Sequence, residues 1–309
     1  VKAALLVCVP LLLFSACSWD SLDSAVVSYV DSVMSAQFKP GGPGAVVLIA
    51  RNGRPVFRKA YGLASLELNV PMSVENVFGI ASMTKQFTAV CVLQLVQQGK
   101  LSLQDDIRMY LPEYNTHGRM ITVEQLLTHT NGIPNFSYRS ETNRTEMLEP
   151  TREDIMKVVA NDSLLFEPGT DWSYNDFGFM LAAFIVERVS GISFHDYMQK
   201  NVFDPLGMKH SYFGNREKVI PLEATPYTAG EEGTFRPEEY YSWRWNIGMG
   251  DIFTTVGDML LWDEAFYTDK LVRHDLLKKA LTSSALADGR KTNYGYGWFI
   301  SKSDEPQVI

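Results

Sequence analysis

Ser82-Met83-Thr84-Lys85 sets a hydroxyl and an amine three residues apart. A serine hydroxyl is a weak nucleophile until a base takes its proton. On a helix, positions i and i+3 share a face, so the Lys85 amine can reach the Ser82 hydroxyl. A helix starting here also offers partial positive charge to an oxyanion forming near its N-terminus. The chemistry such a pair supports is acyl transfer. The tetrapeptide alone is weak, because a chain this rich in serine and lysine holds about one S-x-x-K by chance. The plain alternative is a capped helix start with a surface lysine. Context separates the two: Phe87, Val90, Cys91, Val92, Leu93, Leu95 and Val96 make the segment from Thr84 to Gln98 mostly apolar, so Lys85 falls where burial is expected.

Other elements must hold this pair in place. Val26, Val27, Val30, Val33, Met34 and Phe38 recur at helical spacing over residues 20–38. Strands are predicted at Ala45–Arg51 and Pro55–Tyr61, joined by Asn52-Gly53, a strong hairpin signal. Helix caps are predicted at Thr122, Thr151 and Ser193, and buried or amphipathic helices at Phe177–Val189 and Thr255–Tyr267. Tyr294–Ser301 reads as a strand. Strands near both ends with helices between them predict an α/β protein of the α+β type, an antiparallel sheet flanked by helices, with a helical insertion over about residues 100–245. No linker separates independent domains.

Composition bounds the function. The 309 residues are 46% hydrophobic and 21% charged, as in a globular chain with one large core. A formal net charge of −8 argues against a nucleic-acid partner. The first 17 residues differ from the rest: Lys2, a short apolar run and Ser15-Ala16-Cys17 form a secretory signal too short to span a bilayer. Of the three cysteines, Cys8 leaves with that signal and Cys91 sits in an apolar helical run, so no disulfide or cysteine metal site is expected. The five histidines show no ligand spacing, and no metal or other cofactor is implied.

An ordered series of segments then resembles the β-lactamase-related serine hydrolases, the penicillin-recognising S-x-x-K enzymes. The series comprises Gly79–Phe87, Leu101–Asp106, Leu126–Pro134 with its Leu-Leu-Thr-His-Thr-Asn-Gly, Phe166–Thr170, Trp172–Asp176, Pro205–Met208 and Gly250–Asp258. It covers nearly all of residues 18–309. The resemblance implies Ser82 as nucleophile and Lys85 with Tyr174, from the family's Y-x-N motif, as the proton-moving groups. Gly248, Gly250 and Asp176 are expected at the substrate. It gives His129 a structural role rather than that of a base. Trp243 and Trp245 either line the cleft or pack in the core.

Two departures stand out. Asp176 replaces the usual asparagine; an ionised carboxylate only accepts hydrogen bonds and favours a charged neighbouring amine, both unsuited to β-lactam or acyl-amide recognition. The alternative is that Asp176 turns away as a helix cap. The family's closing strand, with Lys-Thr-Gly or His-x-Gly, has no counterpart before Ile309, so the chain is expected to be incomplete at its C-terminus. Phe14-Ser15-Ala16-Cys17 looks like a bacterial lipobox, which would lipidate Cys17 and anchor the protein at the cell envelope, facing the periplasm; the alternative is an ordinary cleaved signal. The expected partners are a small-molecule or peptide ester or amide and a lipid anchor. The rival function is a non-catalytic envelope lipoprotein that uses the same fold for binding.

Overall fold

The computed structural model describes residues 24–135, 150–159, 163–214, 218–238 and 243–301. The expected signal segment, Cys17 and the final Pro306–Ile309 lie outside the described residues. The first element is α1 (Ser24–Gln37). Its inner stripe is Val27, Val30, Met34 and then Phe38, all half-buried, whereas Val26 and Val33 face outward. The face is therefore narrower than the hydrophobic pattern predicts. Asp31 on this helix accepts hydrogen bonds from Lys59 Nζ (2.5 Å) and the Tyr61 hydroxyl (2.9 Å), tying α1 to the following hairpin.

That hairpin pairs β1 (Ala45–Arg51) with β2 (Arg54–Tyr61), antiparallel from Ala45 opposite Tyr61 to Arg51 opposite Arg54. The Asn52-Gly53 turn joins them as predicted. Short strands β3 (Leu63–Ser65) and β4 (Val70–Pro71) pair next, and β5 (Phe78–Gly79) leads into α2 (Thr84–Gln97). Residues 100–245 carry α3 (Val123–Leu127), α4 (Arg152–Val159), α5 (Asp176–Ser190), α6 (Phe194–Met198) and α7 (Asp204–Leu206). The same stretch also holds β6 (Tyr212–Phe213), β7 (Tyr227–Ala229) and β8 (Phe235–Pro237), so it is not purely helical. The chain closes with β9 (Ile252–Thr254), α8 (Val256–Ala265) and α9 (His274–Ala280). Every pair of these strands is antiparallel, and the mixture of helices and antiparallel strands is the α/β class expected.

Local chemistry explains several boundaries. Thr122 and Gln125 form a full capping box at α3. Thr151 and Asp154 exchange equivalent bonds at α4. The core is built on α2 and α5, which pack on each other and are buried along most of their length. Phe87 of α2 stacks on Trp262 of α8, ring centroids 3.7 Å apart, and Gln86 Oε1 accepts from Trp262 Nε1 at 3.0 Å. Lone Cys91 lies in this core, where burial pushes its thiol well above the usual range.

The strand predicted at Tyr294–Ser301 does not form. The segment instead folds back on itself, with a single bridge between Tyr294 and Phe299. Tyr-Gly-Tyr-Gly-Trp-Phe has the aromatic content of a strand, but Gly297 adopts φ +94° and lies against the backbone of Lys85 and Gln86, where a Cβ would come within 2.9 Å. Only glycine can make that turn and that approach.

Candidate active site

The position of Ser82 follows from one strand pairing. β5 pairs antiparallel with β9, Phe78 opposite Thr254 and Gly79 opposite Phe253. The exit of β5 therefore lies beside the entry to β9, and Ile80 N–H donates to the Ile252 carbonyl at 3.0 Å. A 3-10 turn, Ala81–Met83, then runs into α2. Ala81 holds φ +46°, a conformation that costs energy for a residue with a Cβ. Thr84 Oγ1 accepts from Ile252 N–H (3.2 Å), fastening the helix start to β9. Ser82 is left exposed at the mouth of this junction while Lys85, one turn on, is fully buried.

Lys85 Nζ donates to Ser82 Oγ at 2.9 Å, Asp176 Oδ1 at 2.7 Å and the Met249 carbonyl at 3.1 Å. An ammonium has three N–H groups, and these three bonds account for all of them. Asp176 comes from the first turn of α5, where a carboxylate also suits the positive end of the helix. Asn175 does the capping, accepting from Gly178 N–H at 2.6 Å, and this leaves Asp176 free to face the amine. Asn135 Nδ2 donates to its second oxygen at 3.2 Å.

Tyr174 presents its ring face to the amine, with Lys85 Nζ 4.8 Å from the centroid. That ring packs on Phe299 (6.2 Å, stacked), Tyr294 (6.2 Å, edge-on) and His129 (4.4 Å). Burial pushes the Tyr294 phenol well above its ordinary range. His129 is pulled down to about 3, first by burial and then by the Lys85 charge. Its Nδ1 accepts from Asn175 N–H at 3.1 Å. That bond ties the buried imidazole to the chain just before α5.

A cavity of about 250 Å³ opens on Ser82. Asp176, Gly250, Met249, Trp243 and Phe253 line it, as do Glu223 and Glu238. Trp243 is thus a wall residue, whereas Trp245 is buried in the core. Gly250 lies in the wall as expected. Gly248 does not: it is buried behind the wall at φ +71°, and a Cβ there would stand 2.5 Å from the Ala183 Cβ. Its lack of a side chain lets the backbone turn against α5.

A family model described as Beta-lactamase matches residues 24–309. The chain belongs to the beta-lactamase family. Among curated relatives, a penicillin-binding protein of Bacillus subtilis (strain 168) is 28% identical over 273 residues, covering 84% of this chain and 60% of that protein. Protein flp of Staphylococcus aureus (strain MRSA252) is 27% identical over 285 residues, covering 89% of this chain and 56% of flp. The chain therefore spans less than two thirds of the length of these relatives. Among solved structures, a penicillin-binding protein homologue from Pyrococcus abyssi superposes with a TM-score of 0.74 at 27% identity, covering 89% of this chain and 64% of that one. The D-amino acid amidase of Ochrobactrum anthropi reaches 0.76 at 21% identity, covering 92% of this chain and 83% of that one, a likeness of fold.

In this beta-lactamase-family site, sequence reasoning brought together Ser82, Lys85, Tyr174 and Asp176. It missed Asn135, Met249 and Thr88, whose Oγ1 donates to the Gly248 carbonyl at 2.6 Å. Met249 acts through its carbonyl, which leaves no trace in residue type. Thr88 was visible only as a polar residue in an apolar helix, one turn past Lys85.

Proposed function

We propose that this chain is the catalytic part of an exported serine hydrolase that transfers the acyl group of an ester or amide to Ser82 and then to water. The observation that carries this reading is the 2.9 Å contact between Lys85 Nζ and the Oγ of exposed Ser82, which lines an open cavity. The resting amine donates all three hydrogens, so it becomes a base only by giving one away. Asp176 Oδ1, 2.7 Å distant, is the acceptor in line. Rotation about the Lys85 Cε–Nζ bond turns the freed lone pair toward Ser82, and it takes the Ser82 proton as Oγ bonds to the substrate carbonyl carbon. That proton passes to the leaving alcohol or amine as its bond to carbon breaks. Tyr174 covers the amine and excludes water from it, and its hydroxyl is the candidate relay to the leaving group. In the second half, Lys85 takes a proton from water as the water oxygen bonds to the acyl carbon, and returns it to Ser82 Oγ as the bond from Oγ to that carbon breaks, releasing the acid.

Asp176 ranks esters above β-lactams as substrates. An asparagine here would offer an N–H to an amide carbonyl, whereas the carboxylate offers none. Lys2, the apolar run after it and Phe14-Ser15-Ala16-Cys17 support export with a lipid on Cys17. Cys17→Ser is expected to abolish metabolic lipid labelling, and persistent labelling would refute the anchor.

Labelling by a fluorophosphonate or penicillin probe tests the hydrolase reading. The unsubstituted chain is expected to label, and Ser82→Ala to lose labelling with little change in thermal midpoint. Undiminished labelling of the variant would place the nucleophile elsewhere. A chain that never labels would favour a binding module on the same fold.

A further inference from the structure

Beyond the reacting groups, a second cluster of titratable side chains stands behind the site. Asp251 is buried, with its side chain only 2% exposed. Both of its oxygens are engaged. Oδ1 accepts from Gly248 N–H at 3.1 Å, and Oδ2 lies 2.7 Å from His195 Nε2. An ionised carboxylate only accepts, so Nε2 carries the hydrogen. The His195 ring is itself fixed, stacked on Phe213 with centroids 4.1 Å apart and planes 18° from parallel. Phe213 belongs to β6, which pairs with β9, the strand beginning one residue after Asp251. The Asp251 carbonyl also accepts from Gly214 N–H at 2.8 Å.

Gly248 is thus clasped at both ends, its N–H by Asp251 and its carbonyl by Thr88. The next carbonyl along the chain, that of Met249, is the one that accepts from Lys85 Nζ. Burying a carboxylate is costly unless it is fully paired, and this one is spent on a backbone turn and an imidazole. We propose that Asp251, braced by His195, is a positioning residue for the base: it fixes the Gly248–Met249 turn so that the Met249 carbonyl holds the Lys85 amine against Ser82. The inference rests on the hydrolase reading above.

The test measures fluorophosphonate labelling of the full chain at increasing probe concentration, giving a maximal rate and a half-saturating concentration, with a thermal midpoint in parallel. Asp251→Ala is expected to lower the maximal rate roughly 10- to 100-fold, the scale on which small misplacements of reacting groups act, with half-saturation unchanged. Asp251→Asn is expected to stay within about threefold of the unsubstituted rate, because its carbonyl still accepts from Gly248 and its amide can donate to the other His195 tautomer. His195→Gln is expected to fall between the two. If Asp251→Ala does not fold, the last two variants decide. A rate for Asp251→Ala equal to that of the unsubstituted chain, or an equally large loss in Asp251→Asn with the thermal midpoint preserved, would overturn the proposal while leaving Ser82 as nucleophile. Absence of labelling in the unsubstituted chain would sink both.

Discussion

Two turns of backbone meet at one amine. The first, Ala81–Lys85, runs from a 3-10 turn into α2 and carries both reacting groups within four residues. The second, Gly248–Asp251, precedes β9 and offers Lys85 only a carbonyl. The first obtains its geometry from helical spacing, which is local. The second has no helix behind it: Asp251 clasps Gly248 from within the turn, and Thr88 and His195 hold it from outside. A buried lysine with three donors needs three acceptors, and a helix can place only one of them beside it. The others must come from distant chain, here from α5 and the β9 entry, and those segments need clasps of their own.

The largest way to break the comparison is to remove what both turns share. Lys85→Met fills the same buried volume without the amine, and probe labelling should fall roughly 10²- to 10⁴-fold, the range for loss of a general base. A loss below tenfold would mean that another base serves Ser82.

A smaller effect separates the turns by stability. Gly248→Ala brings a Cβ within 2.5 Å of Ala183, whereas Gly99→Ala, at φ +67°, meets nothing within 4 Å. Both accept a left-handed residue with a Cβ, but only the first is overpacked. Denaturant unfolding should find Gly248→Ala less stable than Gly99→Ala by about 1–3 kcal/mol. Equal losses would show that the turn yields without resistance and is not a rigid clasp.

The smallest effect concerns preference. Asp176→Asn removes the Lys85 counter-charge and supplies an amide N–H. Turnover of p-nitrophenyl acetate should fall, and the ratio of penicillin acylation to ester turnover should rise roughly 3- to 10-fold, about the worth of one hydrogen bond. An unchanged ratio would remove Asp176 from substrate selection.

What the sequence by itself determined is local or periodic. Asn52-Gly53 made the β1–β2 hairpin because that pair suits the tight turn between twisted strands. Thr122 with Gln125 started α3, because a hydroxyl and an amide three residues apart satisfy each other's backbone. Ser82 and Lys85 met because a helix turn joins them. Tertiary structure decided the rest. Tyr294–Ser301 has strand-like composition, yet Gly297 folded it against α2, and its aromatic rings became the packing behind Tyr174. Asp176 could cap α5 or face the amine; Asn175 took the cap, so Asp176 faced the amine. Asp251 and His195, 56 residues apart, carry no spacing that announces a pair. They meet because His195 of α6 stacks on Phe213 of β6, which pairs with β9 just after Asp251, and strand alignment is fixed by the burial of whole faces, which no short stretch of residues encodes.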